Sequence, residues 1–183
     1  IPKPSEDIIE VAEDIQAKLR ARGVRVSIDM DETKRPGFKF AEHELHGTPI
    51  RLGIGKRDLE KGVVEVARRD TKEKTQVPLD NIDAYVADLL DQIQTDLFEK
   101  ARAYRDDHIT PVDTFDELKS VLEDKGGFVL ANWDGTTETE IKIKEATKAT
   151  IRCIPMDETA TPTGPCVFSG KEAVHRVLFA KAY

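Results

Sequence analysis

A run of apolar residues at helical spacing constrains this chain most. Ile82, Val86, Leu89, Leu90, Ile93, Leu97, Ala101 and Tyr104 predict one long helix over residues 81–105. Pro78-Leu79-Asp80 punctuates the chain just before it. Different patterns lie on its two sides, so the helix reads as a connector between two units. The 183 residues suffice for one large domain or two small ones.

Upstream, helix and strand patterns alternate. Pro2 and Pro4 interrupt any strand at the start. Ser5 is placed to cap a helix over 6–22, with Glu6 and Asp7 at the positive end of its dipole. Gly23 is a natural terminator, and Val24, Val26 and Ile28 alternate as in a strand. Pro36-Gly37 marks a turn before a short helix over 38–46. Strands are predicted over 49–55, 62–68 and 74–78, with Arg57 and Asp58 in a loop after Gly55. Such alternation predicts an α/β fold, an open mixed sheet with flanking helices.

Downstream, Thr114 followed by Glu117 is a capping-box pattern, and Gly126-Gly127 ends the helix it opens. Strands are expected over 128–133 and 150–154, and residues 138–148 fit either strand or helix. A last hairpin would pair Cys166–Phe168 with Arg176–Ala180, completing a small α+β module.

The net charge of -7 and pI near 5.2 argue against a general nucleic-acid binder, DNA included. The distribution is uneven. Residues 1–80 hold 16 basic and 16 acidic side chains, residues 81–183 hold 12 and 19, and residues 33–74 hold 11 and 7. An anionic partner should therefore meet the first half. No apolar run is long enough to span a bilayer, and the start lacks both a signal peptide and an initiator Met. The chain reads as the middle of a longer protein, or as a trimmed one. Cys153 and Cys166 can pair by arithmetic alone, but a reducing cytosol is the better expectation.

Residues 37–70 read GFKFAEHELHGTPIRLGIGKRDLEKGVVEVARRD. This resembles the anticodon-binding domain of class II prolyl-tRNA synthetases, through G-x-K-F-x-x-x-E-L-x-G-x-P-[IL]-R, I-G-x-[RK]-D-L and V-x-V-x-R-R-D. IKEATKATIRCIP, GPC-VFSG and the terminal RVLFAKAY resemble the extra C-terminal domain of the archaeal/eukaryotic-like form of that family. The resemblance covers essentially the whole chain. It implies an anticodon-binding domain over 1–80 whose first strand lies outside this sequence. A connecting helix over 81–109 and a C-terminal domain over 110–183 would follow. It also implies that the adenylation domain is absent, so the chain alone is inactive. The whole enzyme would join proline to tRNA(Pro) with ATP and Mg as a cytoplasmic homodimer. A free-standing accessory module binding RNA or protein is the rival reading. An independent enzyme is disfavoured, because no nucleophile–base pair, phosphate-cradling loop or metal cluster is evident.

Arg51 offers a planar fork that fits a guanine edge, and Glu44 offers a carboxylate for guanine N1–H and N2–H. Arg57 and Asp58 offer the same pair of chemistries. The resemblance implies that these four read the two guanines of the proline anticodon on unstacked bases. Surface ion pairing, or a turn capped by Asp58, explains the same residues without RNA. Lys34, Arg35, Phe38, Lys39, Arg68 and Arg69 are candidates for backbone or stacking contacts, while Phe40 reads as core. His43 and His46 lack a third metal ligand.

The resemblance also bears on zinc. The family often holds it with four cysteines, and here Asp134, Thr139, Cys166 and Ser169 stand at those positions. One thiol and one carboxylate do not make a closed tetrahedral site, so no zinc is expected and the module should hold by packing. Tyr183 would anchor the C-terminus toward the absent catalytic domain.

Overall fold

The computed structural model describes residues 6–182; Pro2, Pro4, the Ser5 cap and the Tyr183 anchor lie outside them. The chain divides into two units, Ile1–Glu99 and Lys100–Tyr183.

In the first unit, α1 (Glu6–Ala21) buries Ile8, Ile15 and Leu19, and Gly23 follows in the left-handed conformation (φ +79°). After α2 (Pro36–Leu45) comes an antiparallel sheet, ordered β1 (Ile50–Gly53), β2 (Val63–Arg68), β3 (Lys74–Pro78). A one-turn helix, α3 (Lys56–Glu60), joins β1 to β2. Arg57 and Asp58 therefore sit on a helix and not in the expected loop; five residues are too few to show a period.

Register sets the two faces of this sheet. Arg51 lies opposite Ala67 and Leu52 opposite Val66, while Val64 lies opposite Val77. Side chains alternate across a strand, so Leu52, Val64, Val66 and Val77 share one face and Arg51, Glu65 and Ala67 the other. The first face meets Ile15, Leu19, Ile82, Val86, Leu89 and Ile93 in a continuous core.

Residues 24–30 carry the expected alternation, and Val24 and Val26 lie against that core, but the segment joins no ladder. Its Val26 carbonyl accepts from Gln16 Nε2 at 3.4 Å. Alternation sets which way side chains face; pairing also needs a neighbouring strand about 4.8 Å away. A cleft of about 500 Å³ runs between this segment, α1 and β1, with Ile8, Ile15, Val26, Ile28, Ile50 and Leu52 in its walls.

The long helix α4 (Ile82–Asp107) carries the chain from the first unit into the second. There a four-stranded sheet runs β4 (Ile109–Pro111), β5 (Phe128–Trp133), β7 (His175–Lys181), β6 (Ala149–Cys153). β4 is parallel to β5 and the other pairs are antiparallel, so this sheet is mixed. Thr114 caps α5 (Phe115–Asp124) by accepting from Glu117 N–H at 3.2 Å, while Glu117 Oε2 accepts from the N–H groups of Asp113 and Thr114. The ambiguous stretch is α6 (Thr137–Thr147), which buries Ile143 and Thr147 one turn apart.

Cys166–Phe168 form no strand, contrary to the expected hairpin. Gly170 N–H donates to the Cys166 carbonyl at 3.0 Å, closing a turn. β7 lies instead between β5 and β6, where Val177 and Phe179 are fully buried. That central position leaves no open edge for a hairpin partner. Gly127 (φ +81°) opens β5 where a Cβ would stand 2.7 Å from the His108 carbonyl oxygen, so the backbones approach as only glycine allows.

Candidate nucleic-acid interface

β1 presents Arg51 on the sheet face away from the core, and α2 lays Phe40 against it. The guanidinium carbon of Arg51 lies 3.6 Å from the centre of the Phe40 ring. Phe40 is half-buried and serves as a platform, not as the core residue expected. Arg51 Nε and Nη1 are closed off from solvent and have no hydrogen-bond partner among the described residues. The nearest carboxylate oxygen, on Glu65, stands 3.6 Å from Nη1, and Lys74 shares that oxygen at 3.4 Å.

Glu44 and Arg51 line one hollow with Phe40, His43, Thr48, Arg68 and Arg69. Its volume of about 10 Å³ holds no more than a water, so a base would lie on its rim. Lys72 donates to Glu44 Oε2 at 2.6 Å, and Arg69 Nε donates to the Glu44 main-chain oxygen at 2.8 Å. The Lys72 bond, aided by the charges of Lys72, Arg51 and Arg69, holds the Glu44 carboxyl below its usual range. Arg57 and Asp58 do not line this hollow. Asp58 Oδ2 accepts from Gly55 N–H at 2.9 Å, the cap that explains it without RNA, while Arg57 is exposed.

The outer candidates separate sharply. Phe38 is exposed, with Lys34 Nζ 5.3 Å from its ring centre, and Arg35 is exposed at the start of α2. Lys34 also bonds both oxygens of Glu42, at 2.9 and 2.8 Å. Arg69 is exposed beyond its single bond to Glu44.

Two candidates face inward, which corrects their reading as RNA contacts. Lys39 is only 5% exposed and donates to Asp29 Oδ1 at 2.8 Å. Arg68 spends its fork on Asp70 (3.0 and 2.6 Å) and Asp96 (2.9 Å), which raises its own pKa and lowers that of Asp70.

Asp29 is a residue that sequence reasoning passed over. It holds Lys39 on one oxygen and His43 Nε2 on the other, at 3.0 Å, tying residues 24–30 to α2. The Lys39 bond outweighs burial and, with His43, keeps Asp29 far below the carboxylate range. Its partners are 10 and 14 residues away, so no local spacing announces the cluster.

In the second unit, the four positions that the resemblance gives to zinc ligands behave differently. Asp134 Oδ2 accepts from Thr139 Oγ1 at 2.8 Å and from Ser169 Oγ at 2.6 Å, while Oδ1 accepts from the N–H and hydroxyl of Thr136 at 3.1 and 2.9 Å. Cys166 is buried three residues before Ser169 in the same turn. Both Asp134 oxygens are engaged, and the two hydroxyls donate where a metal needs electron pairs. This donor set does not fit zinc. Among the described residues, no three His, Cys, Asp or Glu side chains gather to hold a metal ion.

Residues 1–89 match the family model described as "Anticodon binding domain", and residues 115–183 match "Prolyl-tRNA synthetase, C-terminal". A proline–tRNA ligase of Flavobacterium psychrophilum is 54% identical over 178 residues, covering 97% of this chain and 36% of that protein. One from Porphyromonas gingivalis is 53% identical, covering 96% and 35%. The crystal structure of prolyl-tRNA synthetase from Cryptosporidium parvum, complexed with L-proline and AMP, superposes with a TM-score of 0.90 at 31% identity. That match covers 98% of this chain and 38% of the other. The chain thus spans little more than a third of the length of the relatives it matches.

Proposed function

Because this chain belongs to the prolyl-tRNA synthetase family, we propose that its first unit reads the anticodon of tRNA(Pro). Arg51 carries the reading: its guanidinium packs 3.6 Å from the centre of the Phe40 ring and lines the same hollow as Glu44. A guanine offers O6 and N7 to an arginine fork and N1–H and N2–H to a carboxylate, which adenine does not match. Bases in a single-stranded loop are open to such stacking and edge contacts. Phe38, Lys34, Arg35 and Arg69 flank the pair as stacking and phosphate contacts, and the local excess of basic side chains over residues 33–74 favours an anion there. Arg57 and Asp58 read the second guanine from α3, with the Asp58 oxygen not bonded to Gly55.

The wider reading follows. The whole protein joins proline to tRNA(Pro) with ATP and Mg, as a cytoplasmic homodimer, and this chain supplies register and affinity while the chemistry lies elsewhere. The share of each relative's length covered, 36% and 38%, supports this division of labour. No helix among the described residues is long and apolar enough to cross a membrane. The cleft beside β1 supports placing the first strand of the anticodon-binding domain outside this sequence, between residues 24–30 and β1.

Titration with a proline anticodon stem-loop, against loops carrying adenine for each guanine, tests the reading. Discrimination of about tenfold or more, lost in R51A and E44A, supports it. Equal weak binding to every loop overturns base reading by this chain and favours an accessory module.

A further inference from the structure

Three of the four positions at which the family places zinc ligands, Asp134, Thr139 and Ser169, still meet in this chain, although their chemistry does not suit the metal. We propose that the Asp134 carboxylate takes the place of the metal as the cross-link of the second unit. It gathers hydroxyls that would otherwise belong to separate segments.

The geometry has three parts. Asp134 leaves the end of β5 and is 8% exposed. Thr139 lies in the first turn of α6, 5% exposed, and Thr136 caps that helix by accepting from Thr139 N–H at 3.3 Å. An anion at this helix start lies where the backbone N–H groups favour negative charge. Ser169 comes from the turn after Cys166, 35 residues along the chain from Asp134, and supplies the shortest of the four bonds. The carboxylate therefore joins a strand end, a helix start and a distant turn, as a tetrahedral metal joins its ligand loops.

The chemistry also balances. An ionised carboxylate has room for about four hydrogen bonds and here accepts four. A buried carboxylate left unbonded would be strongly unfavourable, and four donors remove that cost. Thiolates at all four positions would instead repel one another without a cation. Each set is complete only on its own terms, so a metal is excluded by the filled acceptor sites.

The turn and the loop before it are held by neutral bonds as well. Val167 N–H donates to the Asn132 carbonyl at 3.1 Å and Thr163 N–H to Asn132 Oδ1 at 3.1 Å. Loss of Asp134 should thus loosen the turn without dissolving the sheet.

Trp133, the chain's single tryptophan, adjoins the centre and donates from Nε1 to the Thr136 carbonyl at 3.2 Å. Its fluorescence during thermal unfolding reads the test. For the wild-type chain, EDTA and added Zn²⁺ should each leave the midpoint unchanged within about 1 °C. D134A should lower it by roughly 10 °C or more, because it removes the acceptor of all four bonds. D134N keeps the shape but only one acceptor oxygen, and S169A removes only the long-range bond; both should fall between. The variant D134C/T139C/S169C, which with Cys166 restores four thiols, should lose the native Trp133 signal without metal and regain it with Co²⁺. A wild-type midpoint that drops with EDTA, a D134A midpoint like wild type, or no recovery of the four-thiol variant with Co²⁺ overturns the proposal.

Discussion

The Arg51 guanidinium lies 3.6 Å from the centre of the Phe40 ring, and that contact couples α2 to the sheet face that points away from the core. The ring packs against the guanidinium and limits where the side chain can go.

Arg51→Lys should keep the charge but lose the fork. Guanine-over-adenine discrimination by the stem-loop should fall about tenfold, equivalent to about 1.4 kcal/mol, with overall binding less affected. Phe40→Leu should weaken binding in the same direction, because the guanidinium loses its platform. Fluorescence titration of both variants against matched and mismatched loops measures this.

Arg68 and Arg69 are adjacent in sequence and should behave oppositely. Arg69→Ala should weaken RNA binding for all loops and flatten its salt dependence by a slope of about 0.7, one single-strand phosphate contact. Arg68→Ala should leave that slope unchanged and destabilise the first unit by about 1–2 kcal/mol, since Asp70 and Asp96 lose their partner. Salt titrations and urea unfolding separate the two.

Asp29→Asn should destabilise the first unit by roughly 3 kcal/mol or more, because it strands the buried Lys39 ammonium. The double change D29N/K39M should recover much of the loss. Asp29 has a lowered pKa in the folded state, so its stabilisation is complete above about pH 4 and drains away as pH falls below that. The stability gap between the wild type and D29N should therefore stay constant from pH 6 to about pH 4 and narrow progressively as the pH is lowered further.

Gly127→Ala should cost about 2 kcal/mol or more, combining a left-handed backbone with a clash at His108. Gly47→Ala, at φ +84° with open space around it, should cost only about 1 kcal/mol. Chemical unfolding curves of the two compare directly.

Much of the architecture was legible as periodicity. The α4 spacing, the β2 and β3 alternation and the Thr114–Glu117 box are all local, and local patterns report which face is buried and where a helix starts. Arg51 was legible in the same way: flanked by Ile50 and Leu52, it had to point to the face opposite theirs. Short elements such as α3 and β4 were not, because five or three residues show no period.

The sequence by itself determined the long helix, the β2 and β3 strands, the capped start of α5 and the residue types available to bind a guanine. Tertiary structure alone decided which cations were free to do so. Lys39 and Arg68 are as basic as Arg69, but Asp29, Asp70 and Asp96 reach them from other segments. It also decided that β7 is central, and that Asp134 gathers hydroxyls from up to 35 residues away. Periodicity along a chain encodes a direction for each side chain; it does not encode which distant group waits there.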